Sequence, residues 1–150
     1  MHHTKNLLHF FGLACLCLVA LSARAENSQD FGDYVVHFNA LTTDILQPKV
    51  ATEYGIKRSG SHAMLNVVVL RKLLGATGQP VTATVSGIAT TLNGQQRTLN
   101  LREIREPNAI YYIADFDVGN EEILTFRLDV RPEGEKDSLQ VQFRQQFFTR

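Results

Sequence analysis

Apolar and polar residues alternate with a period of two along most of the chain after residue 33, which predicts β-strands. The alternation is clear where Tyr34, Val36, Phe38 and Ala40 are separated by single residues of another kind. Between 64 and 70 the apolar residues occupy both faces, which predicts a central strand covered on both sides. The pattern predicts about seven strands, over 33–40, 64–70, 81–92, 97–106, 110–118, 124–130 and 139–148.

This arrangement predicts one all-β domain over 33–150, an antiparallel β-sandwich that is immunoglobulin-like in general shape. A small closed barrel is the alternative fold. One short helix is predicted over 48–54, because Pro48 suits the first helical position and Gly55 suits a C-terminal cap. The segment 72–79 contains two glycines and is predicted to be a loop.

Two turns carry specific predictions. Asn93-Gly94 between two strand patterns predicts a hairpin with a type I′ turn. A three-residue loop at 119–121 predicts a second hairpin, because that loop length places the apolar residues of both strands on one face. The pairs expected there are Phe116 with Leu124, Ala114 with Phe126, Tyr112 with Leu128, and Ile110 with Val130.

The first 25 residues have the features of a secretory signal peptide. Lys5 precedes an apolar run over 7–21, and Ser22-Ala23-Arg24-Ala25 forms an A-x-A site, so cleavage is expected after Ala25. The run is shorter than the roughly 20 residues that a membrane-spanning helix needs. The sequence therefore predicts a periplasmic protein with no membrane attachment after cleavage, beginning with a flexible segment over 26–32.

Cleavage would remove most of the reactive side chains. Both cysteines and three of the five histidines lie in the leader, which leaves His37 and His62. A disulfide, a thiol nucleophile and a cysteine-bound metal are therefore not expected in the mature protein. Of the 15 basic residues, cleavage removes Lys5 and Arg24 and leaves 13 against 15 acidic ones, a formal charge of −2. This balance argues against nucleic-acid binding, which calls for a clustered basic surface.

A metal site would require His37 and His62 to converge with a carboxylate such as Asp44 or Glu53. No short ligand spacing links the two histidines, so we predict no bound metal and no cofactor. A His-dependent metal-binding protein or envelope enzyme is kept as the alternative to a binding protein.

Catalytic motifs are weak. Ser59 or Ser61 with His62 could suggest a hydrolytic triad, but the segment lacks the G-x-S-x-G turn. Adjacent residues in an extended chain also point apart. We therefore predict no catalytic residues, and the sequence favours a non-enzymatic binding or protein-interaction module over an enzyme.

The polar segment 37–66 is the predicted binding surface. Arg58 could bind a carboxylate or phosphate, or could pair with Glu53 or Asp44 on the surface. Asn66 lies within an apolar strand, so its amide must find structural partners or belong to a polar pocket. The partner is expected to be a periplasmic protein or a small ligand, and an exposed strand edge would allow strand addition. The predicted binding residues are His37, Asn39, Tyr54, Arg58 and Asn66.

Several segments resemble a family of exported proteobacterial proteins known as domain of unknown function 4426. The resemblance rests on 36–40 (VHFNA), 46–51 (LQPKVA), 54–59 (YGIKRS), 65–69 (LNVVV) and 112–116 (YIADF). It covers nearly the whole mature chain and is most specific between His37 and Asn66. The resemblance implies a periplasmic protein of a Gram-negative bacterium, and it implies no particular activity.

Overall fold

The computed structural model describes residues 27–149. The predicted signal peptide and its cleavage site at Ala25 lie outside the described residues. The described chain forms ten strands, one short helix and one 3-10 turn at Thr43–Ile45. The elements are β1 (Ser28–Asp30), β2 (Tyr34–Thr42), α1 (Pro48–Glu53), β3 (His62–Leu73), β4 (Ala76–Pro80), β5 (Ala83–Thr91), β6 (Gln96–Leu99), β7 (Arg102–Glu106), β8 (Ala109–Asp117), β9 (Ile123–Pro132) and β10 (Leu139–Gln146).

The strands form two antiparallel sheets, which confirms the predicted β-sandwich. The larger sheet has the order β1-β2-β3-β8-β7, and β4 pairs with the far end of β3 beyond β8. The smaller sheet has the order β10-β9-β5-β6. Within residues 27–149, no helix is long and apolar enough to span a membrane.

The inner faces of the two sheets share one hydrophobic core. Phe126 on β9 is fully buried and stacks on Phe143 of β10, with ring centroids 4.7 Å apart. Phe143 in turn stacks on Phe38 of β2 at 4.4 Å, so the aromatic rings join the two sheets. Burial of each such side chain contributes about 1.5–3 kcal/mol. Burial of these rings therefore favours the packing of the two sheets against each other.

The predicted hairpin at 119–121 is wrong, because β8 and β9 belong to different sheets. β8 pairs with β3 and β7, whereas β9 pairs with β5 and β10. The eight apolar residues predicted to share one face all contribute to the same core. They face one another across the sandwich, because alternation marks which side chains point inward and carries no information on which strands are hydrogen-bonded.

Three segments contain a greater number of separate strands than the sequence predicted. The predicted strand over 97–106 is interrupted at 100–101, where the chain moves from β6 in one sheet to β7 in the other. The predicted loop over 72–79 is wrong, since Gly75 adopts φ 73° and turns β3 back into β4. The segment 26–32, predicted to be flexible, contains β1, whose three residues pair with β2.

Asn93-Gly94 does form a hairpin between β5 and β6, as predicted. The turn type differs, because Gly94 has φ 85° and Asn93 does not have a positive φ. The Gly94 N–H donates to the Thr91 carbonyl at 3.0 Å, and the Thr91 N–H donates to the Gln95 carbonyl at 2.9 Å. These bonds define a three-residue loop that ends in a left-handed glycine.

The short helix is confirmed as α1. Pro48 occupies the start of the helix, and Gly55 follows its end with φ 63°. The Gly55 N–H donates to the Thr52 carbonyl at 3.2 Å and the Ile56 N–H to the Ala51 carbonyl at 2.8 Å, a Schellman cap. This cap directs Ile56 into a second, smaller apolar cluster with Met64 and Ile113 on the outer face of the larger sheet.

Candidate functional site

A groove lies on the outer face of the larger sheet, beside α1. The alternation that buries one side of β2, β3 and β8 turns Leu41, Met64 and Ile113 outward, and α1 with its preceding loop forms the wall. We call this cavity of about 280 Å³ the outer-face groove. It is lined by Asn39, Leu41, Leu46, Val50, Tyr54, Met64, Asn66, Tyr111 and Ile113.

A second cavity adjoins the groove on the side of β1. We call this space of about 180 Å³ the polar recess. Asn39 and Asn66 line both cavities, so the two amides mark the place where the groove and the recess meet. The recess is lined by Asn27, His37, Phe38, Asn39, Asn66 and Val68.

The two amides come from neighbouring strands. Asn39 on β2 is directly opposite Asn66 on β3, and Asn66 is opposite Ile113 on β8. Asn66 Oδ1 is buried and has no hydrogen-bond partner. A buried polar atom without a partner costs about 1–3 kcal/mol. Asn66 as a whole is half-buried and lines both cavities, whereas its Oδ1 is shielded from them.

Four of the five predicted binding residues line these cavities. His37, Asn39 and Asn66 meet at the polar recess, and Tyr54 lies in the groove. Their role in binding stays a prediction. Arg58 does not line either cavity; its Nη2 donates to the backbone carbonyl of Asp44 at 2.8 Å. The guanidinium therefore holds the loop after β2 and does not face the other four side chains.

Tyr54 fastens the end of α1 to β7. Its hydroxyl donates to the Glu106 carboxylate, and Arg102 donates to the Tyr54 carbonyl. The hydrogen bond to Glu106, followed by burial, raises the pKa of Tyr54 to about 12. The phenol therefore stays neutral at physiological pH, and the wall of the groove is fixed to the sheet through two contacts.

His62 lies at the start of β3, where two carboxylates of β8 hold its ring. Nδ1 is 2.8 Å from Asp117 Oδ1, and Nε2 is 2.9 Å from Asp115 Oδ2. Burial lowers the pKa of His62, but the two carboxylates outweigh it and the net pKa is raised. Because both ring nitrogens are engaged, neither is left to activate Ser59 or Ser61, so the triad considered from the sequence is not assembled.

The two histidines do not converge. His37 is opposite Val68 on β3, whereas His62 begins that strand. Positions 62 and 68 on an extended strand are roughly 20 Å apart. Within residues 27–149 there is no group of three or more His, Cys, Asp or Glu side chains that could hold a metal ion. His37 and His62 are therefore too far apart to bind one metal ion together, as the sequence-based hypothesis required.

Thr43 organises the loop between α1 and β3. Its side chain is fully buried, and Oγ1 donates to the Lys57 carbonyl at 2.7 Å and accepts the Ser59 N–H at 3.0 Å. The sequence analysis gave Thr43 no special role, because one threonine after a strand carries no distinguishing signal. The apolar lining of the groove was also missed, although the two-sided apolar pattern of 64–70 indicated that the outer face needed a cover.

Comparisons with known proteins found a family model and several solved structures that are similar to this chain. The family model described as Domain of unknown function (DUF4426) matches residues 28–150. The crystal structure of a DUF4426 family protein from Pseudomonas aeruginosa PAO1 is similar to this chain with 36% identity and a TM-score of 0.71, over 82% of this chain and 94% of that one. No curated protein matches the chain significantly.

Two structures of FetP from uropathogenic Escherichia coli strain F11 share the fold. One is the as-isolated protein expressed in the periplasm, covering 82% of this chain and 93% of FetP, and the other is a copper-bound variant, covering 84% and 97%. Both have a TM-score of 0.57 and 8% identity. At this identity the likeness shows the fold alone.

Proposed function

The chain belongs to the DUF4426 family, and from that membership and its outer-face groove we propose that it is an exported, non-enzymatic binding protein for a small apolar ligand. The observation that carries the proposal is the groove itself. Five of its lining residues are aliphatic or thioether side chains that turn away from the main core: Leu41, Leu46, Val50, Met64 and Ile113.

The dimensions of the groove favour a small molecule. Its volume of about 280 Å³ is near the lower end of ligand sites, which span about 300–1,000 Å³. A molecule of one to three rings or a short branched chain would fill it. The apolar walls supply affinity through burial, and the amides of Asn39 and Asn66 supply orientation.

The wall formed by α1 is prearranged. Tyr54 is bonded to Glu106 and its carbonyl to Arg102, while Thr43 holds the loop after α1. A ligand that enters a site already held in shape does not have to order the protein, so less of its contact energy is lost on binding.

The proposal assigns the protein to the periplasm. Support comes from the leader pattern that ends at Ala25 and from the fold shared with FetP, which was isolated from a periplasmic expression. The alternative, a His-dependent metal-binding protein or envelope enzyme, has less support because His37 is opposite Val68, six residues along β3 from His62.

A fluorescence titration with N-phenyl-1-naphthylamine tests the proposal, since this dye becomes bright in apolar sites. Val50 lies half-buried on α1 and lines the groove, so Val50→Phe fills the cavity. We expect the purified mature protein to bind the dye and Val50→Phe to bind it about tenfold more weakly, a loss of about 1.4 kcal/mol.

Lys49 is the matched control. It precedes Val50 on the same helix, is exposed, and does not line the groove. Lys49→Phe adds the same aromatic ring without filling the cavity, so dye binding should stay within about twofold of the wild type, a difference of about 0.4 kcal/mol. Equal binding by Val50→Phe and the wild type would overturn the proposal, as would an equal loss in both variants.

A further inference from the structure

The strand β10 forms a long free edge of the smaller sheet. Among residues 27–149, no strand pairs with β10 on the side away from β9. Its eight residues keep an unbroken register with β9, and Arg144 is the one charged residue among them. Proteins usually protect such edges with short strands, several charges, proline or bulges, because exposed N–H and C=O groups bind a further strand. The edge of β10 is therefore open to pairing.

The other edge strands of the two sheets are protected. β1 has three residues and β6 has four. β4 has five residues and ends in Pro80. In β7, four of the five residues are charged: Arg102, Glu103, Arg105 and Glu106. The contrast singles out β10 as the edge on which a further strand fits.

The hydrogen-bond pattern shows which residues of β10 face the free edge. The Phe147 N–H donates to the Glu122 carbonyl, on the side of β9, at 2.8 Å. Successive residues of a strand point their backbone groups to opposite sides. The N–H and C=O groups of Gln140, Gln142 and Arg144 therefore point away from β9, and the side chains of these three residues are exposed on the outer face.

We propose that two copies of this chain pair through β10, antiparallel and around a two-fold axis at Gln142. The pairing joins two four-stranded sheets into one continuous sheet. Each copy offers the same strand to the other, as a two-fold interface requires. The proposal does not depend on the outer-face groove, which lies on the larger sheet.

The charges on β10 select the position of the axis. With the axis at Gln142, Gln140 of one copy is opposite Arg144 of the other, and the outward N–H and C=O groups of all three residues are paired. An axis at Arg144 would place two guanidinium groups opposite each other, which is destabilising. An axis at Gln140 would place Arg144 opposite Lys136, which has the same charge and lies outside β10.

Charge complementarity favours a second copy as the partner. Gln140 donates from Nε2 to Asp129 Oδ2 at 2.7 Å, so the two side chains are neighbours on the outer face. In the proposed register Arg144 lies beside Gln140 of the second copy, and its guanidinium points towards that copy's Asp129. Arg144 and Asp129 are roughly 10 Å apart between their Cα atoms, a distance of two strand spacings. The symmetry provides this opposite-charge pair twice.

The same register covers apolar surface at the edge. Phe143 points inward but is only half-buried. With the axis at Gln142, Val141 of the second copy is opposite Phe143 and shields the side of its ring that faces the free edge. Burial of this apolar surface adds to the stability of the pair.

Light scattering after gel filtration tests the dimer, with the mature protein at about 1 to about 100 µM. We expect the wild type to reach twice the monomer mass as the concentration rises. Gln142→Lys should stay monomeric, because it places two like charges directly opposite each other at the axis. Thr98→Lys is the matched control, since Thr98 is exposed on β6 at the opposite edge of the same sheet, and it should dimerise as the wild type does.

Single cysteines test the register. The mature protein should contain no cysteine, because Cys15 and Cys17 lie in the predicted leader. In Gln142→Cys the two Cα atoms would be about 5.5 Å apart, so dibromobimane, which fluoresces when it bridges two nearby thiols, should link the copies. In Gln140→Cys the two cysteines would be roughly 13 Å apart along the strands and should not be linked.

The outcomes decide the proposal as follows. A wild type that stays monomeric at every concentration overturns it. A dimer that persists in Gln142→Lys, or that is lost equally in Thr98→Lys, overturns the assignment to β10, and equal cross-linking of the two cysteine variants overturns the axis at Gln142. The mass of the wild type does not depend on any variant folding, and circular dichroism checks that each variant keeps its strand content.

Discussion

Asn39 and Asn66 lie directly opposite each other on β2 and β3, on the outer face of the larger sheet and at the junction of two cavities. On the same face, Leu41 is directly opposite Met64, and both line the groove with Ile113 of β8. A pair of amides next to an apolar cluster gives the surface both affinity for apolar groups and a means to orient them.

Replacement of Asn66 by leucine should stabilise the protein. Asn66 Oδ1 is buried without a partner, so the folded state carries a penalty that leucine would remove. We expect the free energy of unfolding of Asn66→Leu to rise by about 1 kcal/mol, measured by urea denaturation. A decrease of that size would show that the amide has a structural partner in the folded protein.

The stability should depend on pH through His62. Its folded pKa is raised above the usual value of 6.5, because hydrogen bonds to Asp115 and Asp117 outweigh the effect of burial. A group with a raised folded pKa stabilises the protein fully below its unfolded pKa and loses that contribution as pH rises through the folded pKa. The free energy of unfolding should therefore fall as pH increases above about 6.5.

His62→Gln should reduce this pH dependence, and His37→Gln should preserve it. His37 is exposed on β2 and opposite Val68, so it serves as the matched control. Urea denaturation at several pH values from about 5 to 8 makes the comparison, in the range where histidine titrates. If the free energy of unfolding of His62→Gln changes with pH as it does in the wild type, the bonds to Asp115 and Asp117 do not stabilise a protonated His62.

Thr43→Val should destabilise the protein by about 2 kcal/mol. Valine has nearly the same shape but leaves the Lys57 carbonyl and the Ser59 N–H without the buried hydroxyl that they share. Thr43→Ser keeps the hydroxyl and should lose less than half as much. Thermal or urea unfolding of both variants tests this role, and equal losses would mean that packing of the threonine methyl group matters more than its hydrogen bonds.

The sequence predicted the fold class but not the strand pairing. The turn residues at 93–94 sit between two strands that are neighbours in one sheet, so the local signal was sufficient to predict that hairpin. At 119–121 a turn of the same kind connects β8 to β9, which belong to different sheets and face each other across the sandwich. Both strands have an inner face towards one core, and a sequence pattern cannot separate strands that are paired from strands that are stacked.

Local sequence patterns also pointed to only some of the residues that line the candidate site. The density of polar residues over 37–66 pointed to His37, Asn39 and Asn66, which line the polar recess. The two-sided apolar pattern of 64–70 indicated a cover on the outer face, but it did not specify which residues would form the walls of a groove. Arg58 was selected for the chemistry of its guanidinium, and Asp44 was one of the two surface partners considered for it. The contact is made to the backbone carbonyl of Asp44.

Met64 offers the most direct test of the proposed ligand site. The chain has two methionines, and the other is Met1, which precedes the predicted cleavage site, so the mature protein should give one methionine methyl signal. With ¹³C-methyl-methionine labelling and added N-phenyl-1-naphthylamine, we expect nuclear Overhauser effects between the dye rings and the Met64 methyl group, which decrease in Val50→Phe. A dye that binds with no such contact to Met64 would contradict the assignment of the outer-face groove as the binding site.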